Sequence, residues 1–291
     1  MSDSQVTCIL EDSEGTLWVG TKNGGLNQYD RASGNFIAYQ FDLQNRASVS
    51  SNNITTLYED RFGNFWVGTD RGLDKMDRSI RTFSHFRNEP QNPTSLSNNY
   101  VNFIFQDGRD VIWVGTMGGL NMFLPETGQF IHYQNKPGEP HSLSNNKVKT
   151  MIEDGAGILW IGTLGGGINR YDEKNDWFDV YNKNRFDPTS LSDDRVLSLL
   201  EDRSGILWAG TADGINKLGQ GYKNFRHFFP DPENINSLGY NQVSAIKSDS
   251  LRRIWFGTDG GGVDVYSPET GRFEHYQHDP ADPNSLSNNH V

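Results

Sequence analysis

The sequence predicts an all-β protein, a β-propeller of six four-stranded antiparallel blades, on three observations. A phrase of aromatic-x-Gly-Thr recurs six times: Trp18-Val19-Gly20-Thr21, Trp66-Val67-Gly68-Thr69, Trp113-Val114-Gly115-Thr116, Trp160-Ile161-Gly162-Thr163, Trp208-Ala209-Gly210-Thr211 and Trp255-Phe256-Gly257-Thr258. The tryptophans stand 48, 47, 47, 48 and 47 residues apart. Each interval divides into four short β-rich runs separated by Gly, Asn and Asp turns, with no sustained helical apolar period. Four strands in a period of about 40–50 residues fit a propeller better than a solenoid, whose repeats are usually shorter.

The first copy shows each element in turn. Val6 to Asp12 is a largely apolar run ending polar, and Ser13-Glu14-Gly15 is a turn signal. Thr16 to Thr21 is a second β-rich run, followed by the turn Lys22-Asn23-Gly24-Gly25. Leu26 to Asp30 and Asn35 to Phe41 supply the third and fourth, with Arg31 to Gly34 between them. A polar loop, Asp42 to Asn53, leads into the next copy. Short runs joined by such turns read as a meander. The whole chain, 1–291, is expected to be one propeller with blades at 6–53, 54–100, 101–147, 148–195, 196–242 and 243–290. Whether six blades close a ring or belong to one of seven stays open at this point.

Trp18, Trp66, Trp113, Trp160, Trp208 and Trp255 are expected to be the repeat core. Each lies on the second strand, clamped between adjacent sheets, with the glycine two residues on leaving room for a neighbour. Burying an indole removes about 150–250 Å² from water, a gross gain of roughly 4–6 kcal/mol at most. The seventh tryptophan, Trp177, falls on a fourth strand and is read as outer-edge packing.

Composition narrows the function. With a net charge of −11, the chain lacks the basic surface that non-specific binding to nucleic acid or anionic membranes requires. One cysteine, Cys8, excludes an intrachain disulfide and a cysteine metal site, and is read as a buried small apolar residue. No apolar run is long enough for a membrane helix, and Met1-Ser2-Asp3-Ser4-Gln5 is not a signal peptide. No direct membrane contact is expected.

The six copies share V-x-x-I-x-E-D-x-x-G-x-L-W-V-G-T-x-x-G-G-L-x-x-Y-D, then F-x-x-Y, then D-P-x-x-x-S-L-S-N-N. Val148 to Asp172 with Phe178 to Asn182, and Asp187 to Ser192, carry it well. This resembles the two-component regulator propeller repeat, over essentially the whole chain. The resemblance implies a sensor region of a bacterial hybrid histidine kinase or related regulator, periplasmic or extracellular and often responsive to glycans. It also implies propellers that are usually seven-bladed, further blades, and a signalling output module. The chain departs in having six tryptophan cores, and it begins and ends at the same point of the period.

Catalytic chemistry finds little support. His85, His132, His227 and His275 share one outer-strand position that Ala38 and Val180 hold in the other copies, so it is not catalytic. Asp12, Asp60, Asp107, Asp154, Asp202 and Asp249 precede the first turn in every copy, where a carboxylate can cap turn amides. The glycine runs at 165–167 and 260–262 precede no helix, which removes a phosphate-loop reading. No metal, cofactor or enzyme activity is expected.

Residues that break the repeat are the better binding candidates. The position before the first-strand Val or Ile reads Gln5, Asn53, Tyr100, Lys147, Arg195, Gln242 and His290. The loop between the second and third strands adds Lys22 and Arg71. Both loops are expected on one face, around the channel mouth. Amides, charges and an aromatic there suit a polar ligand, a glycan above all, and Lys147, Lys149 and Arg195 suggest a basic sector. The expected function is a non-enzymatic ligand sensor. The alternatives are a protein-interaction or dimerisation scaffold and, remotely, a lyase-type propeller enzyme.

Overall fold

A computed structural model describes residues 1–219, 221 and 224–291. It is all-β and of the propeller class, with six four-stranded antiparallel sheets. Blade 1 is β1 (Val6–Glu11), β2 (Leu17–Thr21), β3 (Leu26–Asp30) and β4 (Asn35–Tyr39). Blade 2 is β5 (Ile54–Glu59), β6 (Phe65–Thr69), β7 (Gly72–Asp77) and β8 (Thr82–Phe86). Blade 3 is β9 (Val101–Gln106), β10 (Ile112–Thr116), β11 (Gly119–Leu124) and β12 (Gln129–Tyr133). Blade 4 is β13 (Val148–Glu153), β14 (Leu159–Thr163), β15 (Ile168–Asp172) and β16 (Trp177–Tyr181). Blade 5 is β17 (Val196–Glu201), β18 (Leu207–Thr211), β19 (Ile215–Leu218) and β20 (Phe225–Phe228). Blade 6 is β21 (Val243–Ser248), β22 (Ile254–Thr258), β23 (Val263–Ser267) and β24 (Arg272–Tyr276). The chain falls into two compact units, Met1–Asn135 with Asn146–Val148, and Lys136–Asn145 with Lys149–Val291.

In the first unit the core sits between neighbouring sheets. Trp18 packs with Val49, Ile54 and Phe65 of the next repeat, its ring 4.8 Å from that of Phe65. Trp66 does the same with Leu96, Val101, Ile112 and Phe123. Gly20 and Gly68 make this approach possible: a Cβ on them would stand 2.8 Å from Ile54 Cγ2 and 2.9 Å from Val101 Cγ1. In the second unit Trp160 packs with Leu191, Val196 and Leu207, and Trp208 with Leu238, Val243 and Ile254. Trp255 differs, staying half-buried. Tyr276 stacks on it at 6.0 Å.

One invariant bond escaped the sequence reading. In all six copies the indole N–H donates to the Asp six residues earlier, at 2.7–3.0 Å. The other oxygen of Asp12, as of Asp60, caps two turn amides. A buried N–H needs a partner, and the turn places one there. The turn's last position holds a positive φ in every copy: Gly15, Gly63, Gly157 and Gly205, but Asp110 and Arg252 in blades 3 and 6.

Candidate functional site

The two variable loops of each blade meet through the backbone. Lys22 N–H donates to Gln5 O, Met117 to Tyr100 O, Ala212 to Arg195 O and Asp259 to Gln242 O, at 3.0–3.1 Å. The residue before the first strand and the residue after the Gly-Thr pair are therefore neighbours on one face of their blade, as the spacing implied. A β-bulge follows the first residue of β1, β5, β9, β17 and β21. Residues there reach the next blade: Thr7 donates to Ile54 O and Asn102 to Val148 O, each at 2.6 Å.

In the first unit Lys22, Arg71 and Lys147 are exposed and Tyr100 is 40% exposed. Asn53 is spent on its own blade, donating to Asp70 at 3.2 Å. The Arg71 guanidinium lies over the Phe41 ring, 5.5 Å from its centre. In the second unit Arg195 is held by Asp193 at 2.9 Å, and Gln242 donates to Asp259 at 2.6 Å. Lys149 is partly buried, which pulls its ammonium below the ordinary lysine value. Arg195 is thus a bound rather than a free cation.

A second constellation lies where the third and fourth strands face each other. The third strand carries a fully buried Asn27, Asp74, Asn121, Asn169, Asn216 or Asp264. Each accepts the amide of the lead-in loop: Ser2, Ser50, Ser97, Ser144, Ser192 and Gly239, at 2.6–3.0 Å. The repeat consensus had left this position blank. Where it is Asp, the residue opposite is His. His85 Nδ1 meets Asp74 at 2.7 Å and His275 Nδ1 meets Asp264 at 2.6 Å. Their Nε2 atoms face Arg46 O at 2.8 Å and Ile235 O at 3.1 Å. Two acceptors per ring suit the imidazolium, which neutralises a buried carboxylate. The Asp74 bond holds His85 above the ordinary histidine value; for His275 burial opposes protonation, and Asp264 outweighs it. His132 and His227, opposite Asn, instead meet Ser95 O and Ser190 O through Nε2.

Ser50, His85 and Asp74 look like a hydrolytic triad and are not one. Ser50 Oγ and Asp74 Oδ1 both contact Nδ1 of His85, at 3.0 and 2.7 Å, and Nε2 is taken by Arg46 O. A triad base needs its two nitrogens on opposite partners. All four strand histidines meet a lead-in carbonyl through Nε2. Cys8 is partly rather than fully buried, its thiol pushed up to about 11 by burial. Trp177 stacks on His141 at 4.4 Å. Among the described residues there is no metal-binding group of His, Cys, Asp or Glu, and no helix long and apolar enough to cross a membrane.

Five segments, residues 1–23, 48–71, 95–118, 142–165 and 190–213, match the family described as two component regulator propeller. The sixth copy departs where Arg252 replaces the turn glycine and Gly239-Tyr240 replaces the Ser-Asn of the lead-in. The structure is similar to the extracellular domain of a protein assigned as the hybrid two component system BT3049 of B. thetaiotaomicron. That likeness has a TM-score of 0.82 at 25% identity, over 100% of this chain and 37% of that one. A second, assigned as the one component system BT4673 of the same organism, gives 0.70 at 22% identity over 95% and 37%. The chain thus spans about 37% of the length of these neighbours. Virginiamycin B lyase of Staphylococcus aureus shares the fold, with a TM-score of 0.67 at 13% identity over 94% and 84%. No curated protein sequence matches the chain.

Proposed function

We propose that this chain is part of the ligand-sensing region of a bacterial signalling receptor, working outside the cytoplasm without catalysis. Its ligand is a polar molecule of the glycan class, bound on the face formed by the lead-in and second loops. One observation carries the reading: on a repeated scaffold, the residue before the first strand changes in nearly every copy and is polar throughout. The family and the extracellular neighbours support a sensing role. In the first unit the exposed Tyr100 would stack on a sugar ring; in the second the Arg195–Asp193 pair would present a fixed donor and acceptor to hydroxyls.

The test is a glycan array on the whole chain, then titration calorimetry with the strongest hit. Tyr100→Ala and Arg195→Ala should each weaken binding by about tenfold, the loss expected for one well-placed aromatic or charged contact. Unchanged affinity in both variants would refute the loop-face site.

A further inference from the structure

Two grooves of nearly equal size occur at matching places in blades 2 and 6, of about 400 and 410 Å³. Each lies between the lead-in loop and the fourth strand, over a His–Asp pair. The first is lined by Phe41, Leu43, Arg46, Val49, His85 and Arg87. In the second, Pro230, Pro232, Ile235, Leu238, His275 and Gln277 stand at the same repeat positions. The floors match: the imidazolium and carboxylate of His85–Asp74 and of His275–Asp264 cancel in charge. In charge the walls differ by two guanidiniums, Arg46 for Ile235 and Arg87 for Gln277; Phe41, Leu43 and Val49 also stand where the second groove has Pro230, Pro232 and Leu238. Both arginines are exposed, and Arg87 Nη2 reaches down to Ser50 Oγ at 3.4 Å. Arg71, over the Phe41 ring, adds a third cation beside the groove. The acid common to both rims caps an amide in each, Asp42 that of Gln44 at 2.8 Å and Asp231 that of Glu233 at 3.0 Å.

We propose that the blade 2 groove is a binding site for a small carboxylate-bearing ligand, held by Arg46 and Arg87 beside the apolar side chains of Phe41, Leu43 and Val49. A guanidinium presents paired N–H donors whose spacing matches a carboxylate. In a chain of net charge −11, a pair of arginines facing one cavity is a local reversal that attracts an anion. A ring-sized acid fits the volume, with its apolar edge on Phe41 and Leu43. The blade 6 groove has the shape without the charge and is the molecule's internal comparison. Its residues are not Tyr100 or Arg195, on which the loop-face reading is tested, so either proposal can fail alone.

The experiment is calorimetric titration of the whole chain with glucuronate, with glucose as the neutral match. Glucuronate should bind at one site, and glucose about tenfold more weakly or more, the difference expected for a charge-assisted contact. Arg46→Ile with Arg87→Gln gives blade 2 the blade 6 side chains at these two exposed positions, and should abolish the preference. Ile235→Arg with Gln277→Arg should raise the stoichiometry from one to two. Equal affinity for glucose, no binding of glucuronate at about 10 mM, or unchanged binding by the Arg46→Ile/Arg87→Gln variant would overturn the proposal. Inorganic phosphate binding as tightly as glucuronate would overturn the carboxylate assignment. Tyr100→Ala should leave glucuronate binding unaltered.

Discussion

Asp60 shows what one invariant residue does. Its Oδ1 accepts the amides of Phe62 and Asn64, and its Oδ2 accepts the Trp66 indole N–H. The turn and the indole are fixed by the same carboxylate. Asp60→Ala leaves a buried indole N–H without a partner and should cost about 1–3 kcal/mol, read from urea unfolding of the full chain. A change under about 0.5 kcal/mol, the range of ordinary surface substitutions, would mean that water replaces the carboxylate. The capping role was legible from position alone, an Asp before a Gly turn. The indole bond was not read, although an Asp six residues before every Trp is visible in the sequence. Neither the turn nor the strand pattern says that the loop curls back over the strand that follows it.

At the scale of the element, four strands per copy and their turns followed from the alternation of β-rich runs with Gly, Asn and Asp, and β1 to β24 occupy those runs. The first-strand bulge was not legible, because an inserted residue leaves the composition of a strand unchanged. The clip between third strand and lead-in loop was hidden for another reason. Asn and Asp serve it equally as acceptors, so the consensus recorded no residue there. Its trace was a pairing between strands: Asp with His in blades 2 and 6, Asn with Ala in blade 1. That pairing makes a sharp prediction. His85→Ala leaves Asp74 charged and buried, and should destabilise by about 3–5 kcal/mol, as removal of one partner of a buried pair does. Asp74→Asn in the same chain recreates the Asn27–Ala38 arrangement of blade 1 and should recover most of the loss. Thermal unfolding of the single and double variants decides it: a double variant no more stable than His85→Ala would mean that the ion pair is not what the loop clip depends on.

For the whole molecule, the carboxylates and histidines set opposite limits on stability. Burial alone would raise Asp12 and Asp107, but the indole, turn-amide and arginine bonds they accept outweigh it and hold both below the ordinary value. Asp249, bonded by the Trp255 indole and by Arg253, is lowered to about 2. Groups with depressed folded values add stability that is present above about pH 4 and is lost as pH falls through those values. His85 and His275 run the other way. Their raised folded values add stability that is full below about pH 6.5 and is lost as pH rises through them. The melting temperature should therefore be flat between about pH 4 and 6.5 and decline on both sides. Rising negative charge also weakens the fold at high pH, but at about 0.15 M salt that repulsion is screened beyond about 8 Å. A chain carrying Asp74→Asn, His85→Ala, Asp264→Asn and His275→Ala should keep the acid limb and lose most of the alkaline one. If its alkaline decline keeps the original amplitude, the two imidazolium–carboxylate pairs do not set that limit, and a titrating group outside the blade 2 and blade 6 clips must.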